Sequence, residues 1–275
     1  MHTHTISFIG AGHMAQAIIA GLVDSGYPAQ SIIATATRET SLSPLAERYG
    51  IQTTTDNNDA VRTSDVVVLA VKPQIMKGVC EGISDDVHTK KPLILSVAAG
   101  LTCETLSTWL DGYTEIARAM PNTPALVGTG ACGLYAAPDV SDEQKALAAR
   151  LMGAVGITEW VEEESLLSAV TAIAGSAPAY FFYMMEALEK AGVARGLPLE
   201  TARRLVIQTA LGAAKMCDNS DDAPETFKKR VMSPNGTTER AVQQLEKGNL
   251  EALMQNAVDA CFARAEEIGH DLSKL

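Results

Sequence analysis

The sequence predicts an α/β domain built on a parallel sheet, followed by an all-α domain. Three observations carry this. Between Ile6 and Val161 strand-like and helix-like patterns alternate, as in successive βαβ units. Asp65–Val71 and Pro92–Val97 are continuous apolar runs with polar bounds, the pattern of strands buried on both faces of a parallel sheet. From Glu162 onward only helical periods occur. The boundary therefore falls near 160–164, giving domains 1–161 and 162–275, and the lack of a flexible linker suggests that they pack together.

Composition narrows the function class. A chain of 275 residues, 47% hydrophobic, can bury the cores of two domains. No apolar run looks long enough to span a membrane, so a soluble globular protein is expected. A formal charge of −11 argues against nucleic acid or an anionic membrane as partner, since either needs a basic face. Cys80, Cys103, Cys132, Cys217 and Cys261 are odd in number and lack metal-type spacing. They read as reduced thiols acting as small hydrophobes, with no metal site. Met1-His-Thr-His-Thr5 lacks the basic and apolar regions of a signal peptide. Ser273-Lys-Leu275 and Asn235-Gly-Thr237 match a peroxisomal address and a glycosylation acceptor only as very short patterns. The expected location is the cytoplasm.

Ile6–Ile9 is a short apolar strand, broken at Gly10-Ala-Gly12-His-Met-Ala15 and followed at once by the apolar-periodic run Gln16–Val23. Such a strand-turn-helix aims unpaired N–H groups and the positive helix end at one spot, which suits a pyrophosphate. Gly10 allows the tight turn, Gly12 close approach of phosphate to backbone, and Ala15 close packing of helix on strand: the dinucleotide fingerprint of a Rossmann-like domain. His13 and Met14 complete the cofactor-facing turn, the His13 side chain being incidental.

The ribose contact is expected at the end of the second strand, Ser31–Ala34. There the chain reads Thr35-Ala-Thr37-Arg38 with no acid before Glu39. A cation with hydroxyls fits a 2′-phosphate, so NADP(H) is expected, with Arg38 pairing the phosphate and Thr35 or Thr37 donating to it. NADH is the weaker alternative.

Ser43-Pro44 reads as a cap with proline at the first position of a helix that Gly50 stops; a brief strand, Ile51–Thr53, follows. Asp65–Val71 ends in Lys72-Pro73, Pro92–Val97 in Ala98-Ala-Gly100, and Glu115–Ala119 in Met120-Pro-Asn-Thr-Pro124. Beyond the carboxyl ends of parallel strands, these three loops would line one cleft. Ser141-Asp-Glu-Gln144 is a capping box opening a helix to Ala154, and Gly156–Val161 is a last strand.

In the second half, Ser165–Ala174 is a helix interrupted at Gly175-Ser-Ala-Pro178 and resumed at Ala179-Tyr-Phe-Phe-Tyr-Met-Met185. That run is apolar all round, which demands burial on all sides. With the broad apolar stripe of Leu199–Met216, it reads as an oligomer interface of interlocking helices. Val231-Met-Ser-Pro-Asn-Gly-Thr-Thr238 then places Ser233, Thr237 and Thr238 at a helix start, more hydroxyls than a cap needs and a fit for a small carboxylate.

On Phe8–Ala15, Ala70–Pro73, Ser96–Gly100, Arg118–Ala125, Gly175–Tyr180 and Ser233–Thr238, the chain resembles the pyrroline-5-carboxylate reductase family over essentially its whole length. The last piece usually reads Ser-Pro-Gly-Gly-Thr-Thr in that family. Asn235 stands for one glycine, and asparagine tolerates the left-handed conformation well enough to keep the turn. The resemblance implies an α/β Rossmann-like dinucleotide-binding domain followed by an all-α dimerisation domain. It also implies a homodimer that commonly assembles into a decamer, with an active site completed across the dimer. It implies that Ser233, Gly236, Thr237 and Thr238 hold the substrate carboxylate, and that Ser176 meets the ring nitrogen with Thr238 as its catalytic companion. Val71-Lys72-Pro73 and Asn122 would border the nicotinamide.

The implied reaction is reduction of 1-pyrroline-5-carboxylate to L-proline. Reducing a cyclic imine needs a hydride and a proton, and an iminium substrate brings its own proton. Placement can then carry most of the catalysis. The β-hydroxyacid dehydrogenases share the two-domain plan but carry a lysine after the glycine-rich break, where this chain has Ala179-Tyr-Phe-Phe-Tyr183. A non-catalytic NADP(H) sensor on the same fold would not need a second anion pocket.

Overall fold

The computed structural model describes residues 3–274. The first two residues and Leu275, the last of the peroxisomal-type tripeptide, lie outside the described residues.

The α/β part runs β1 (Ile6–Ile9), α1 (His13–Asp24), β2 (Ile32–Thr35), α2 (Ser43–Tyr49), β3 (Gln52–Thr54), α3 (Asn57–Thr63), β4 (Val66–Leu69), α4 (Pro73–Lys90), β5 (Leu93–Ser96), α5 (Cys103–Trp109), β6 (Ile116–Met120), β7 (Gly130–Ala136), α6 (Asp142–Gly153) and β8 (Gly156–Trp160). Among the described residues the strands form one eight-stranded sheet, ordered β3-β2-β1-β4-β5-β6-β7-β8. Every adjacent pair is parallel except β6 and β7. Strands β1, β4 and β5 are buried along their whole length because helices cover both faces of such a sheet. Helix α4 shows why: Met76, Cys80, Ile83 and Val87 recur at helical spacing and are buried. The strand order reverses between β1 and β4, which opens a crevice at their carboxyl ends.

Local chemistry sets several helix ends. Asp56 caps α3 by accepting from the N–H groups of Asn58 at 2.8 Å and Asp59 at 3.3 Å. The expected capping box of α6 is present, with Ser141 Oγ accepting from Gln144 N at 3.2 Å and Gln144 Oε1 accepting from Ser141 N at 2.9 Å. Gly50, at φ +67°, ends α2. Ser43 is not a cap, contrary to expectation. A 3-10 turn at Glu39–Ser41 winds the chain early, so Ser43 is already helical and its hydroxyl donates to Glu39 O at 3.1 Å. Strand β7, unforeseen, is the antiparallel partner of β6.

The helical part continues with α7 (Leu166–Val170), a π-turn (Thr171–Gly175), α8 (Ala177–Ala194), α9 (Leu199–Asp218), α10 (Pro224–Arg230), α11 (Thr237–Lys247) and α12 (Leu250–Leu272). The break expected at 175–178 is this π-turn, closed by Ser176 N–H donating to Thr171 O at 2.8 Å. Pro178 falls in the first turn of α8 and has no N–H to offer the carbonyl four residues back. The chain stays helical through the break. Leu166–Ala194 is therefore long and apolar enough to cross a membrane by length and composition, which corrects the expectation that no such run exists.

The chain packs as two compact units, one reaching to Ser176 and resuming at Cys261, the other Ala177–Ala260. So α7, the π-turn and the end of α12 pack with the sheet, although their periodicity groups them with the later helices. Within the second unit α8 lies on α9, where a Cβ at Gly192 would sit 3.3 Å from Ala202 Cβ. Arg203 Nε donates to Glu189 Oε2 at 2.8 Å. Phe181, Phe182 and Tyr183 on α8, and Leu205, Ile207 and Leu211 on α9, are exposed. The single chain does not enclose the run that is apolar all round.

Candidate functional site

At the crevice, Gly10 and Gly12 are glycines for different reasons. Gly10 has φ +99°, and a Cβ there would lie 2.7 Å from Val71 Cγ1 and 3.0 Å from Ala70 O. The protein itself requires it. Gly12 has φ −73°, and the nearest atom to its Cβ would be Ala70 O at 3.9 Å, ordinary contact. Among the described residues no contact requires glycine at position 12, and the space in front of it is open. Gly12 opens α1 with no side-chain cap and no acid in the first turn. The first helical bond is Gln16 N to Gly12 O at 2.9 Å, which leaves the N–H groups of His13, Met14 and Ala15 without an acceptor within the helix. Ala15 is fully buried and His13 exposed. Val71, Lys72 and Pro73 join β4 to α4 beside this turn, with Lys72 exposed at the N-cap.

Thr35 is 1% exposed. Its hydroxyl donates to Asn57 Oδ1 at 2.7 Å and accepts from Gly10 N at 3.3 Å, so it braces the glycine turn from within. Of the two threonines considered for a 2′-phosphate, only Thr37 is exposed, next to the exposed Arg38. Arg38 makes no ion pair among the described residues.

A second cluster lies at the end of β6. Asn122, buried, donates through Nδ2 to Ala174 O at 3.0 Å and accepts at Oδ1 from Ala131 N at 2.9 Å. Both ends of its amide thus tie β7 to the π-turn, a role the sequence did not disclose. Gly175 gives Met120 room, since a Cβ there would sit 3.1 Å from Met120 Cε. Just beyond it, Ser176 Oγ accepts from Cys261 Sγ at 3.2 Å. The structure thereby brings Asn122 and Ser176 to the same, C-terminal end of one short turn. Burial pushes the Cys80 and Cys132 thiols up to about 12, and raises the Cys103 thiol as well. These three are inert packing groups. Arg118, also buried, pairs with Glu164 at 2.9 Å, and Glu164 accepts from Cys103 N at 2.6 Å. A cavity of about 680 Å³ beside that pair is lined by Gly100, Thr102, Glu164 and Gly269 among others; it takes in Ala99 and Gly100 of a loop expected to line the cleft, and no residue of the glycine turn or of Ser233–Thr238.

In the second unit, Ser233–Thr238 forms the start of α11. Asn235 adopts the left-handed conformation at φ +59°, and its N–H donates to Glu239 Oε2 at 2.7 Å. Gly236 N donates to Ser233 O at 2.9 Å, and a Cβ at Gly236 would sit 2.9 Å from that same oxygen. Gly236 is the N-cap with no side-chain cap. The hydroxyls of Ser233, Thr237 and Thr238 are spent on no hydrogen bond among the described residues, so α11 begins with free donors.

Residues 164–268 match the family model for pyrroline-5-carboxylate reductase dimerisation, and residues 5–100 that for NADP oxidoreductase, coenzyme F420-dependent. The chain is 44% identical to a pyrroline-5-carboxylate reductase of Pseudomonas aeruginosa over the full length of both. A solved pyrroline-5-carboxylate reductase from Coxiella burnetii superposes with a TM-score of 0.94 at 42% identity, covering 97% of this chain and 99% of that one. The Plasmodium falciparum pyrroline carboxylate reductase, solved with NADP bound, superposes with a TM-score of 0.84 at 27% identity, covering 98% and 99%. With the glycine turn, the π-turn serine and the hydroxyl-rich helix start all in place, the chain belongs to the pyrroline-5-carboxylate reductase family.

Proposed function

We propose that this protein reduces 1-pyrroline-5-carboxylate to L-proline, the last step of proline synthesis, with NADPH as the preferred cofactor and NADH the weaker one. Bound NADPH supplies the hydride. The chain's own residues bind and orient. Gly12 and the N–H groups of His13, Met14 and Ala15 take the pyrophosphate, with Gly10 holding the turn. Arg38 and Thr37 take the 2′-phosphate, and Thr35 keeps the loop in place behind them. Val71, Lys72 and Pro73 border the nicotinamide; Asn122, its side chain already committed, does so through its position at the end of β6. Ser233, Gly236, Thr237 and Thr238 anchor the substrate carboxylate, while Ser176 hydrogen-bonds to the ring nitrogen.

The observation that supports this reading best is the reductase turn at Ser233–Thr238, whose three hydroxyls are unspent in a chain similar to reductases from end to end. The functional division runs at 161/162, a cofactor domain followed by a dimerisation and substrate domain. The exposed apolar faces of α8 and α9 then meet a second copy of the chain, and dimers build a decamer. That partner, rather than lipid, covers Leu166–Ala194, and the enzyme works in the cytoplasm.

The test is NADPH oxidation on addition of 1-pyrroline-5-carboxylate. Thr238→Ala should raise the substrate KM at least tenfold, on the order of one charge-assisted hydrogen bond. Ser176→Ala should lower kcat. Wild-type kinetics in both variants would refute the placement of the substrate.

A further inference from the structure

We propose that Cys261 aims the Ser176 hydroxyl at the substrate, a role that rests on the reading that Ser176 meets the ring nitrogen. A serine hydroxyl has one proton and two lone pairs and rotates freely unless a neighbour fixes it. On a helix it habitually folds back to donate to a carbonyl of the preceding turn. Here the backbone around Ser176 is fixed from two sides. Its N–H closes the π-turn onto Thr171 O at 2.8 Å, and Asn122 Nδ2 holds Ala174 O at 3.0 Å. The side chain is fixed by Cys261, whose Sγ donates to Ser176 Oγ at 3.2 Å. That bond fills one lone pair, and among the described residues the Ser176 proton has no acceptor of its own. The proton is thus directed outward, ready for the ring nitrogen wherever the substrate arrives as the neutral imine rather than as the iminium.

Cys261 touches no reacting atom in this scheme; it is a positioning residue. It also differs from the three buried thiols, because Cys261 is only half-buried. A π-turn inside a longer helix is itself a recurring mark of functional sites. Here it delivers Ser176 to the thiol.

The experiment compares Cys261→Ala and Cys261→Ser in the full chain, with NADPH and 1-pyrroline-5-carboxylate. Alanine removes the donor and should lower kcat by about three- to tenfold, the range of one modest hydrogen bond, with the KM for NADPH unchanged. Serine keeps a donor and should restore most of the rate, which mere packing would not require. Infrared spectra supply a readout independent of turnover. The S–H stretching band assigned to Cys261 by difference should move to higher frequency in Ser176→Ala, as the bond is lost. A wild-type kcat in Cys261→Ala, a serine variant as slow as alanine, or a band indifferent to Ser176→Ala would each overturn the proposal. Wild-type protein inert toward the imine would overturn the reaction assignment and this role together, and the wild-type rate tells that failure from the others.

Discussion

Replacing Gly10 and Gly12 separately by alanine should give opposite phenotypes, although the two glycines lie two residues apart. At Gly10 the new methyl meets Val71 Cγ1 at 2.7 Å and Ala70 O at 3.0 Å, on a backbone at φ +99°. The conformational penalty of about 1–2 kcal/mol and an overpacking cost of about 1–3 kcal/mol together remove about 2–5 kcal/mol. For a chain of this size that lowers the melting temperature by about 5–15 °C. At Gly12 the φ of −73° suits alanine and the nearest atom is 3.9 Å away. Lower entropy of the unfolded chain, about 0.4–1 kcal/mol in its favour, offsets the poorer helix cap, about 0.5–1 kcal/mol against. Stability should stay within about 1 kcal/mol of the parent by that balance. The methyl of Gly12→Ala instead projects where the pyrophosphate approaches. A clash of about 1–3 kcal/mol weakens NADPH binding by about 5- to 150-fold. Thermal unfolding without ligand and titration of NADPH fluorescence separate the two effects. A Gly12→Ala protein that binds NADPH like the parent, or that loses stability as Gly10→Ala does, would refute the argument.

Other expectations follow from single contacts. Arg38→Ala should weaken NADPH binding by about 10- to 150-fold, the worth of charge-assisted bonds to a phosphate, and leave NADH binding unchanged; equal losses for both would refute the 2′-phosphate role. Asn122→Ala leaves Ala131 N–H and Ala174 O without their partner, costing about 2–4 kcal/mol. A calorimetric scan showing no fall in melting temperature would contradict that. Phe182→Asp puts a charge on the exposed apolar face of α8 and should yield monomers by light scattering. Burial raises the pKa of Asp65, but the hydrogen bonds from Lys90 at 2.8 Å and Thr5 N at 3.0 Å, with the charges of Lys90 and His4, outweigh it and hold the carboxyl below its ordinary value. A lowered folded pKa contributes stability above the unfolded value that is lost as pH falls through the folded one. Asp65→Asn should therefore cost about 1 kcal/mol at neutral pH, and the difference should vanish as the pH falls through the lowered folded pKa, below the ordinary carboxylate range.

What the sequence disclosed and what it hid divide along a physical line. Strands β1, β4 and β5 were legible because burial on both faces leaves continuous apolar runs such as Val66–Leu69. The glycine turn and the hydroxyls of 233–238 were legible because their chemistry is local, and Asn235 keeps its left-handed turn as expected. Strand β7 was not: Gly130-Ala-Cys-Gly-Leu-Tyr-Ala136 has two glycines and no alternation, and its pairing with β6 comes from the sheet. Helix α4, not among the expected elements, does carry a local signal, the plain helical period of Met76, Cys80, Ile83 and Val87. Ser43 looked like a cap because the 3-10 turn before it leaves no local signature. The bracing roles of Thr35 and Asn122 were hidden for a deeper reason. Their partners Asn57 and Ala174 are 22 and 52 residues away, and no periodicity encodes such a pair. The same holds for Cys261, 85 residues from Ser176, which composition alone had reduced to a small hydrophobe.

In the proposed reaction a hydride passes from NADPH to the imine carbon of 1-pyrroline-5-carboxylate. The most direct test supplies NADPH deuterated on the transferable face and weighs the product by mass spectrometry. The expected product is L-proline carrying one deuterium on the ring carbon that had been double-bonded to nitrogen. Unlabelled proline, or NADPH that binds and is never consumed, would contradict it.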